Sequence, residues 1–204
     1  TVAENAVFFG PDTYRFCDAV ERYAPARSRF AVDVGCGSGA GGIVVRRQAD
    51  RVLLTDVNEH ALELARVNVR LAQGSRIDVQ RSDVLASVDD APDLVIANPP
   101  YMKDDAGRTY RDGGGNHGEE LAARIVREAL AKLAPGGTLL VYTGAAIVDG
   151  EDIFWRAIDP LLEHAANFTY REIDPDVFGE ELAKPAYANV DRIAAVVLVA
   201  RVRS

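Results

Sequence analysis

The sequence predicts an α/β fold in which helices cover both faces of a mostly parallel β-sheet. The main observation is that short apolar runs, typical of buried strands, alternate with amphipathic helical patterns through at least five cycles. A second observation is a glycine-rich stretch that directly follows the first apolar run, where a strand of such a sheet turns into its helix. The length of 204 residues suits one domain with a buried core. No linker is evident, so we predict a single domain over residues 1–204.

The predicted strands are short and rich in Val, Leu and Ile, as expected where both faces of a sheet are covered. In chain order they span residues 29–34, 51–56, 76–80, 93–97, 138–143, about 167–173 and 191–202.

The predicted helices carry recognisable start and stop signals. Residues 12–23 predict a helix with Asp12 as its N-cap and Pro25 beyond its end. A second helix is expected from the glycine-rich stretch to about Asp50, and Asn58 is suited to cap a third. The remaining helices are predicted over residues 119–133, which Pro135-Gly136-Gly137 terminate, and near 151–165.

Composition excludes several classes of protein. The formal net charge of −8 argues against nonspecific binding of long phosphate backbones. The longest apolar run, 193–200, is too short to span a bilayer, and no secretory signal opens the chain. Two cysteines form neither a disulfide framework nor a zinc motif, so we expect a cytoplasmic protein without a metal. Because the chain begins with Thr1, we expect that N-terminal residues are missing.

The glycine-rich stretch predicts a nucleotide-binding turn. It reads DVGCGSG over residues 33–39, and Gly35 and Gly37 allow a tight turn and the close approach of a ligand. Gly37, Gly39 and Gly42 also match the dinucleotide pattern G-x-G-x-x-G. The glycines alone therefore do not separate a nicotinamide cofactor from S-adenosylmethionine.

Three acidic residues at the carboxyl ends of predicted strands favour S-adenosylmethionine. Asp33 could attract a cationic amino group, whereas it would repel a pyrophosphate. Asp56, at the end of the second strand, could hold a ribose diol of either cofactor. Asp83, after the third strand, could accept a hydrogen bond from the exocyclic amine of adenine. Taken singly, each could also be a turn residue or a helix cap.

The sequence Asn98-Pro99-Pro100-Tyr101 follows the fourth predicted strand and should line the same crevice. The turn is suited to methyl transfer from S-adenosylmethionine to a planar NH2 group. Such a group is a poor nucleophile because the nitrogen lone pair is delocalised. The Asn98 side-chain oxygen and the Pro99 carbonyl could accept hydrogen bonds from its two N–H groups, and the prolines would hold these acceptors rigidly. Tyr101 offers a flat face for stacking. Two alternative functions fit this turn less well. A nicotinamide-dependent oxidoreductase has no evident use for it, and a binding module without catalytic activity would be free to lose it.

These motifs resemble the class I S-adenosylmethionine-dependent methyltransferases, and within them the HemK-like enzymes that modify the glutamine of release factors. The resemblance covers about residues 8–145. It implies a Rossmann-like, doubly wound sheet of seven strands, with the last one antiparallel. It also implies that Thr13 reaches the cofactor and that Asn98 lies beside it, and the segment 113–118 resembles one that follows NPPY in this group. The bacterial enzymes carry a helical N-terminal domain, which we expect this chain to lack unless it belongs to the missing N-terminal residues.

The resemblance leaves the methyl acceptor open, because other methyltransferases with NPPY modify the exocyclic amines of nucleic-acid bases. We favour a protein glutamine, as in a release factor, over adenine N6 or guanine N2 of a nucleic acid, and a small-molecule amine after these. No membrane partner is expected. Two polar segments, 102–117 and 175–189, could select the substrate. We interpret the first as a solvated lid; the second brings Phe178 and Tyr187 and could cover the substrate or simply pack.

Overall fold

The structure is a computed structural model that describes residues 7–103 and 112–204. Its helices are α1 (Pro11–Tyr23), α2 (Ala40–Val45), α3 (Glu59–Leu71), α4 (Glu120–Lys132) and α5 (Ile153–Ile158). Its strands are β1 (Ser28–Val34), β2 (Ala49–Asp56), β3 (Ile77–Arg81), β4 (Leu94–Ala97), β5 (Thr138–Val148), β6 (Glu151–Asp152), β7 (Ala165–Asp174) and β8 (Arg192–Val202). None of the helices in these two ranges has the length and hydrophobicity that a membrane span requires.

The strands form one mixed sheet in the order β3-β2-β1-β4-β5-β8-β7, and the short β6 pairs with β5 beside this path. Strands β1 to β5 run parallel, whereas β8 is antiparallel to both of its neighbours. The predicted fold class is thereby confirmed, including the antiparallel last strand.

Two apolar cores lie on opposite faces of the sheet, as alternation along the strands requires. Ile96 of β4 packs into the core under α1, α2 and α3, together with Phe16 and Leu62. Its neighbour Val95 faces the other core, which α4 and α5 cover through residues such as Ile125. The doubly wound arrangement brings the carboxyl ends of β1, β2 and β4 to one edge.

Three predicted helices have wrong boundaries. Helix α1 begins at Pro11 with Gly10 as its N-cap, so Asp12 lies inside the first turn, where it is buried. Helix α2 was predicted to reach about Asp50 but ends at Val45. The last residues of that prediction belong to β2 instead, because Ala49 pairs with Ser28 of β1. The predicted helix over 151–165 is instead α5 followed by a 3₁₀ turn, Asp159–His164, where a proline at position 160 cannot donate an α-helical hydrogen bond.

Candidate active site

A cavity of about 550 Å³ opens at the edge where β1, β2 and β4 end. Its wall combines the glycine-rich stretch 33–39, called the glycine loop below, with the loops after these strands. The first turn of α1 and a residue from the segment before β8 complete the wall. All ten residues predicted for the site line it: Thr13, Asp33, Gly35, Gly37, Asp56, Asp83, Asn98, Pro99, Pro100 and Tyr101. The position of ligands beyond the carboxyl ends of parallel strands is the usual one for such sheets.

The Asp56 carboxylate holds the glycine loop in shape. Gly37 has a left-handed backbone, with a φ of 53°, and its N–H donates to Asp56 Oδ2 at 3.0 Å. The other Asp56 oxygen accepts from the Asn58 N–H at 2.9 Å, and the Asn58 side chain caps α3. Asp56 thus ties the loop after β1 to the loop after β2, on the wall of the cavity.

Asp33 is a buried carboxylate at the end of β1, only 1% exposed. Its Oδ2 accepts from the Gly42 N–H at 2.7 Å, and no hydrogen bond among the described residues engages its Oδ1. Burial raises the pKa of Asp33 from 3.8 to about 7, although the Gly42 bond opposes this shift and nearby Asp56 adds to it. A cation placed in the cavity would favour the ionised form, so Asp33 is suited to an ammonium group.

Asp83 is exposed and already has a partner that was not predicted from the sequence. Arg124 of α4 donates to both carboxylate oxygens, at 2.9 and 2.8 Å. These hydrogen bonds lower the pKa of Asp83, with desolvation opposing them. A carboxylate bound in this way keeps free lone pairs, so the predicted contact with adenine is compatible with the Arg124 pair. No signal local to residue 83 could have revealed it, because the partners are 41 residues apart.

The NPPY turn leaves β4, the central strand between β1 and β5. Asn98 is half-buried and lines the cavity, and within the described ranges no hydrogen bond engages its side chain. The segment Gly113–Gly118 packs on the main chain of the turn: a Cβ on Gly118 would lie 2.1 Å from the Tyr101 carbonyl oxygen. The Gly113 N–H also donates to the Met102 carbonyl at 2.9 Å. The amide of Asn98 is therefore free to bind a ligand from a braced turn.

Tyr101 is 8% exposed and is held on several sides. Its ring packs on Gly144 of β5, where a Cβ would lie 2.2 Å from the ring. Its hydroxyl donates to Asp12, which also accepts from the Tyr142 hydroxyl at 2.8 Å. Asp12 was predicted only as a helix cap; its place beside Thr13, which the resemblance puts at the cofactor, was the one signal available.

The segment 175–189 both lines the cavity and packs. Phe178 lies on the cavity wall with its ring centre 6.1 Å from that of Tyr101, and its backbone is left-handed with a φ of 56°. Tyr187 is 2% exposed, and its hydroxyl accepts from the Lys103 N–H at 2.7 Å. The middle of the other polar segment, residues 104–111, lies outside the described residues. It includes Arg108 and Arg111, which together with Lys103 are the basic residues of the predicted lid.

The known proteins whose sequences this chain resembles are methyltransferases. The sequence model of the methyltransferase small domain family matches residues 19–147. A release factor glutamine methyltransferase from Koribacter versatilis is 27% identical over 185 residues, covering 83% of this chain and 62% of the relative. A ribosomal RNA small subunit methyltransferase C from Pasteurella multocida is 33% identical over 122 residues, covering 59% and 34%. The chain thus spans less than two thirds of the length of these curated relatives.

Solved structures support the fold. Trm5 from Methanocaldococcus jannaschii, determined in complex with adenosine, superposes with a TM-score of 0.66 at 19% identity. The match covers 97% of this chain and 51% of the solved chain.

Proposed function

The chain belongs to the methyltransferase small domain family, and from this premise we propose that it transfers a methyl group from S-adenosyl-L-methionine to the planar NH2 group of a protein glutamine. The observation that carries the proposal is the position of NPPY. Its Asn98 lines the same cavity as the glycine loop and the acidic residues Asp33 and Asp56. A methyl donor and a flat amide can therefore meet in one enclosed space.

The residues of the cavity fit the cofactor chemically. Asp33 would hold the ammonium group, since it is a buried carboxylate with one oxygen not hydrogen-bonded within the described chain. Asp56 would accept from the ribose hydroxyls and Asp83 from the adenine amine, while Thr13, Gly35 and Gly37 complete the wall. The cofactor supplies an electrophilic methyl group on a sulfonium.

The acceptor side would be organised by the NPPY turn. The Asn98 side-chain oxygen and the Pro99 carbonyl would accept hydrogen bonds from the two N–H groups of the target. These hydrogen bonds would favour a pyramidal nitrogen whose lone pair points toward the methyl group. Pro99 and Pro100 limit the motion of these acceptors. Holding the nitrogen and the methyl carbon about 3–3.5 Å apart in line would provide most of the rate acceleration. Tyr101 contributes an aromatic wall.

Two observations favour a protein glutamine as the acceptor. Release factor glutamine methyltransferases match over up to 83% of this chain, and the net charge of −8 opposes nonspecific binding to a phosphate backbone. A cytoplasmic location would fit such a substrate. The second candidate is a base of ribosomal RNA, which the 33% identity to ribosomal RNA methyltransferase C favours.

The experiment is transfer of radiolabelled methyl from the cofactor into a cell extract. A protein acceptor predicts label in a single protein band that survives nuclease and is lost with protease. Label released by nuclease would instead identify a nucleic-acid base, and label in small soluble compounds would identify a metabolite amine.

The matched variants are Asn98→Ala and Asn167→Ala. Asn98→Ala should lower transfer by roughly 100-fold or more, because it removes a preorganised hydrogen-bond acceptor, while binding of S-adenosylhomocysteine stays close to wild type. Asn167 is exposed on the edge strand β7, so its variant should transfer normally. Wild-type transfer by Asn98→Ala would contradict the proposed mechanism.

A further inference from the structure

Asp12 is a buried carboxylate on the cavity wall, contributed by the first turn of α1 and 3% exposed. It accepts hydrogen bonds from three side chains. Tyr101 donates to its Oδ2, while the Tyr142 hydroxyl and the Arg15 guanidinium donate to its Oδ1 at 2.8 and 3.3 Å. A buried charge is tolerated only where such partners replace its water.

The three partners are not equivalent. Arg15 is partly exposed and shares its charge with Asp174, to which it donates at 2.6 Å. Tyr142 is a fully buried residue of β5 that does not line the cavity. Tyr101 alone among the three belongs to the NPPY turn. The hydroxyls of both tyrosines stay protonated as donors, since burial and then the Asp12 charge raise the pKa of Tyr101 and of Tyr142.

The Tyr101 side chain is thereby held at its far end as well as at its backbone. Asp12 binds the hydroxyl, Gly144 backs the ring, and Gly118 packs on the Tyr101 carbonyl. Asn98 and Pro99 lie only three and two residues earlier in the same proline-stiffened turn. A rotation or shift of Tyr101 would therefore move the two acceptors that face the target nitrogen.

We propose that Asp12 is a positioning residue for the methyl acceptor: by fixing the Tyr101 hydroxyl, it holds the NPPY turn in the geometry for transfer. This inference rests on the proposed function. Residue 12 lies outside the segment that the family model matches. The hydrogen bonds and the burial of Asp12, rather than a shared motif, carry the inference.

The test is a double-mutant cycle between Asp12→Ala and Tyr101→Phe, with Tyr142→Phe as the matched control. Alanine is used because the amide oxygen of an asparagine would still accept a hydrogen bond from a tyrosine hydroxyl. Each tyrosine variant removes one hydroxyl from the same carboxylate. The readouts are methyl transfer to an unmethylated release factor at saturating cofactor and calorimetric binding of S-adenosylhomocysteine. Since small misplacements of reacting groups are costly, we expect Asp12→Ala to lower kcat by roughly 10–100-fold.

The cycle separates positioning from a general loss of structure. In the Tyr101→Phe background, Asp12→Ala should lower kcat by no more than about twofold further, because the hydrogen bond is already absent. Tyr142→Phe should keep near-normal transfer, and all variants should still bind S-adenosylhomocysteine. Independent, multiplicative losses would overturn the proposal. If Asp12→Ala does not fold, equal transfer by the two tyrosine variants would overturn it, and loss in Tyr101→Phe alone would support it.

A second readout does not depend on any acceptor. Fluorine NMR of protein labelled with 3-fluorotyrosine reports the Tyr101 ring, whose signals Tyr101→Phe assigns by their loss. We expect slow ring flipping in the wild type and exchange-broadened or averaged Tyr101 signals in Asp12→Ala. Unchanged signals would overturn the role of Asp12. Absence of transfer by the wild type would instead count against the proposed function, while the fluorine signals would still decide the role of Asp12.

Discussion

At the scale of single residues, Asp33 links the site to the stability of the fold. Its carboxylate is buried, and the pKa of about 7 means that the charged form is disfavoured unless a cation lies beside it. A cationic ligand group would reverse this balance, so its binding near neutral pH should release a proton. Asp33 would therefore favour a cationic ligand, while above neutral pH its own buried charge lowers the stability of the fold.

The first prediction concerns Asp33→Asn. Because the folded-state pKa exceeds the ordinary value of 3.8, the folded protein binds this proton more tightly than the unfolded chain. The stability that this group contributes is complete below pH 3.8 and is lost as the pH rises through about 7. Asparagine cannot ionise, so the unfolding free energy of the variant minus that of the wild type should grow by roughly 2–3 kcal/mol between pH 5 and 8.

Urea unfolding at both pH values, without ligand, measures this difference. Asp78→Asn is a suitable control because Asp78 is exposed on β3, and it should show no comparable growth. A difference between Asp33→Asn and wild type that did not change with pH would contradict the effect of burial. Calorimetry on the same variant should show strongly weakened binding of S-adenosylhomocysteine.

Residues that follow predicted strands could be assigned to the site from sequence, because parallel strands end at one edge of the sheet. On this basis Asp33, Asp56 and Asn98 were predicted to lie together, and the structure brings all three to one cavity. Partners from distant elements could not be predicted in this way. The Tyr101–Asp12 and Arg124–Asp83 contacts join positions 89 and 41 residues apart, and no local pattern encodes either distance.

At the scale of elements, strand and helix types were predictable and their ends were not. Strand β5 was expected to end at residue 143 but continues to Val148, because β8 pairs with it as far as Ile147. The added residues, Gly144, Ala145 and Ala146, have weak strand propensity, so tertiary pairing decides their conformation. This extension matters for the site, since it places Gly144 beneath the Tyr101 ring.

The second prediction concerns Gly144→Ala. A Cβ at this position would lie 2.2 and 2.3 Å from two carbons of the Tyr101 ring, so the ring must move. We expect a loss of about 1–3 kcal/mol in unfolding free energy from overpacking, and a fall in methyl transfer that exceeds any change in S-adenosylhomocysteine binding. Stability is measured by urea unfolding and transfer with radiolabelled cofactor.

Gly179→Ala is the matched control for this substitution. A Cβ on Gly179 would meet only ordinary contacts, the nearest at 3.6 Å to an Asp176 oxygen. It should leave both stability and transfer near wild type. If Gly144→Ala transferred methyl groups as well as Gly179→Ala does, the position of the Tyr101 ring would not matter for the reaction.

At the scale of the whole molecule, the two sides of the cavity have different origins. Apart from Thr13, the proposed cofactor side is built from β1, β2 and the loops after them, inside the segment 19–147 that the family model matches. The proposed acceptor side also uses Asp12 from α1 and Phe178 from the segment before β8, both outside it. Under the proposed function, most of the cofactor side would therefore come from the matched segment, whereas the acceptor side would also draw on residues from outside it.

The third prediction follows from this division: ligands of the cofactor side should stabilise the whole domain without any acceptor. A ligand that binds only the folded state at 100 times its Kd adds about 2.7 kcal/mol, which for a domain of this size corresponds to a rise in Tm of roughly 5–10 °C. S-adenosylhomocysteine should produce such a rise in a thermal melt. NADH should not, because its anionic pyrophosphate offers the buried Asp33 carboxyl no cationic partner and would repel the ionised form. Asp56→Ala should remove most of the rise, whereas Asn98→Ala should keep it. A rise with NADH alone would point to a dinucleotide site, and a rise with neither ligand would contradict the assignment of the cofactor side.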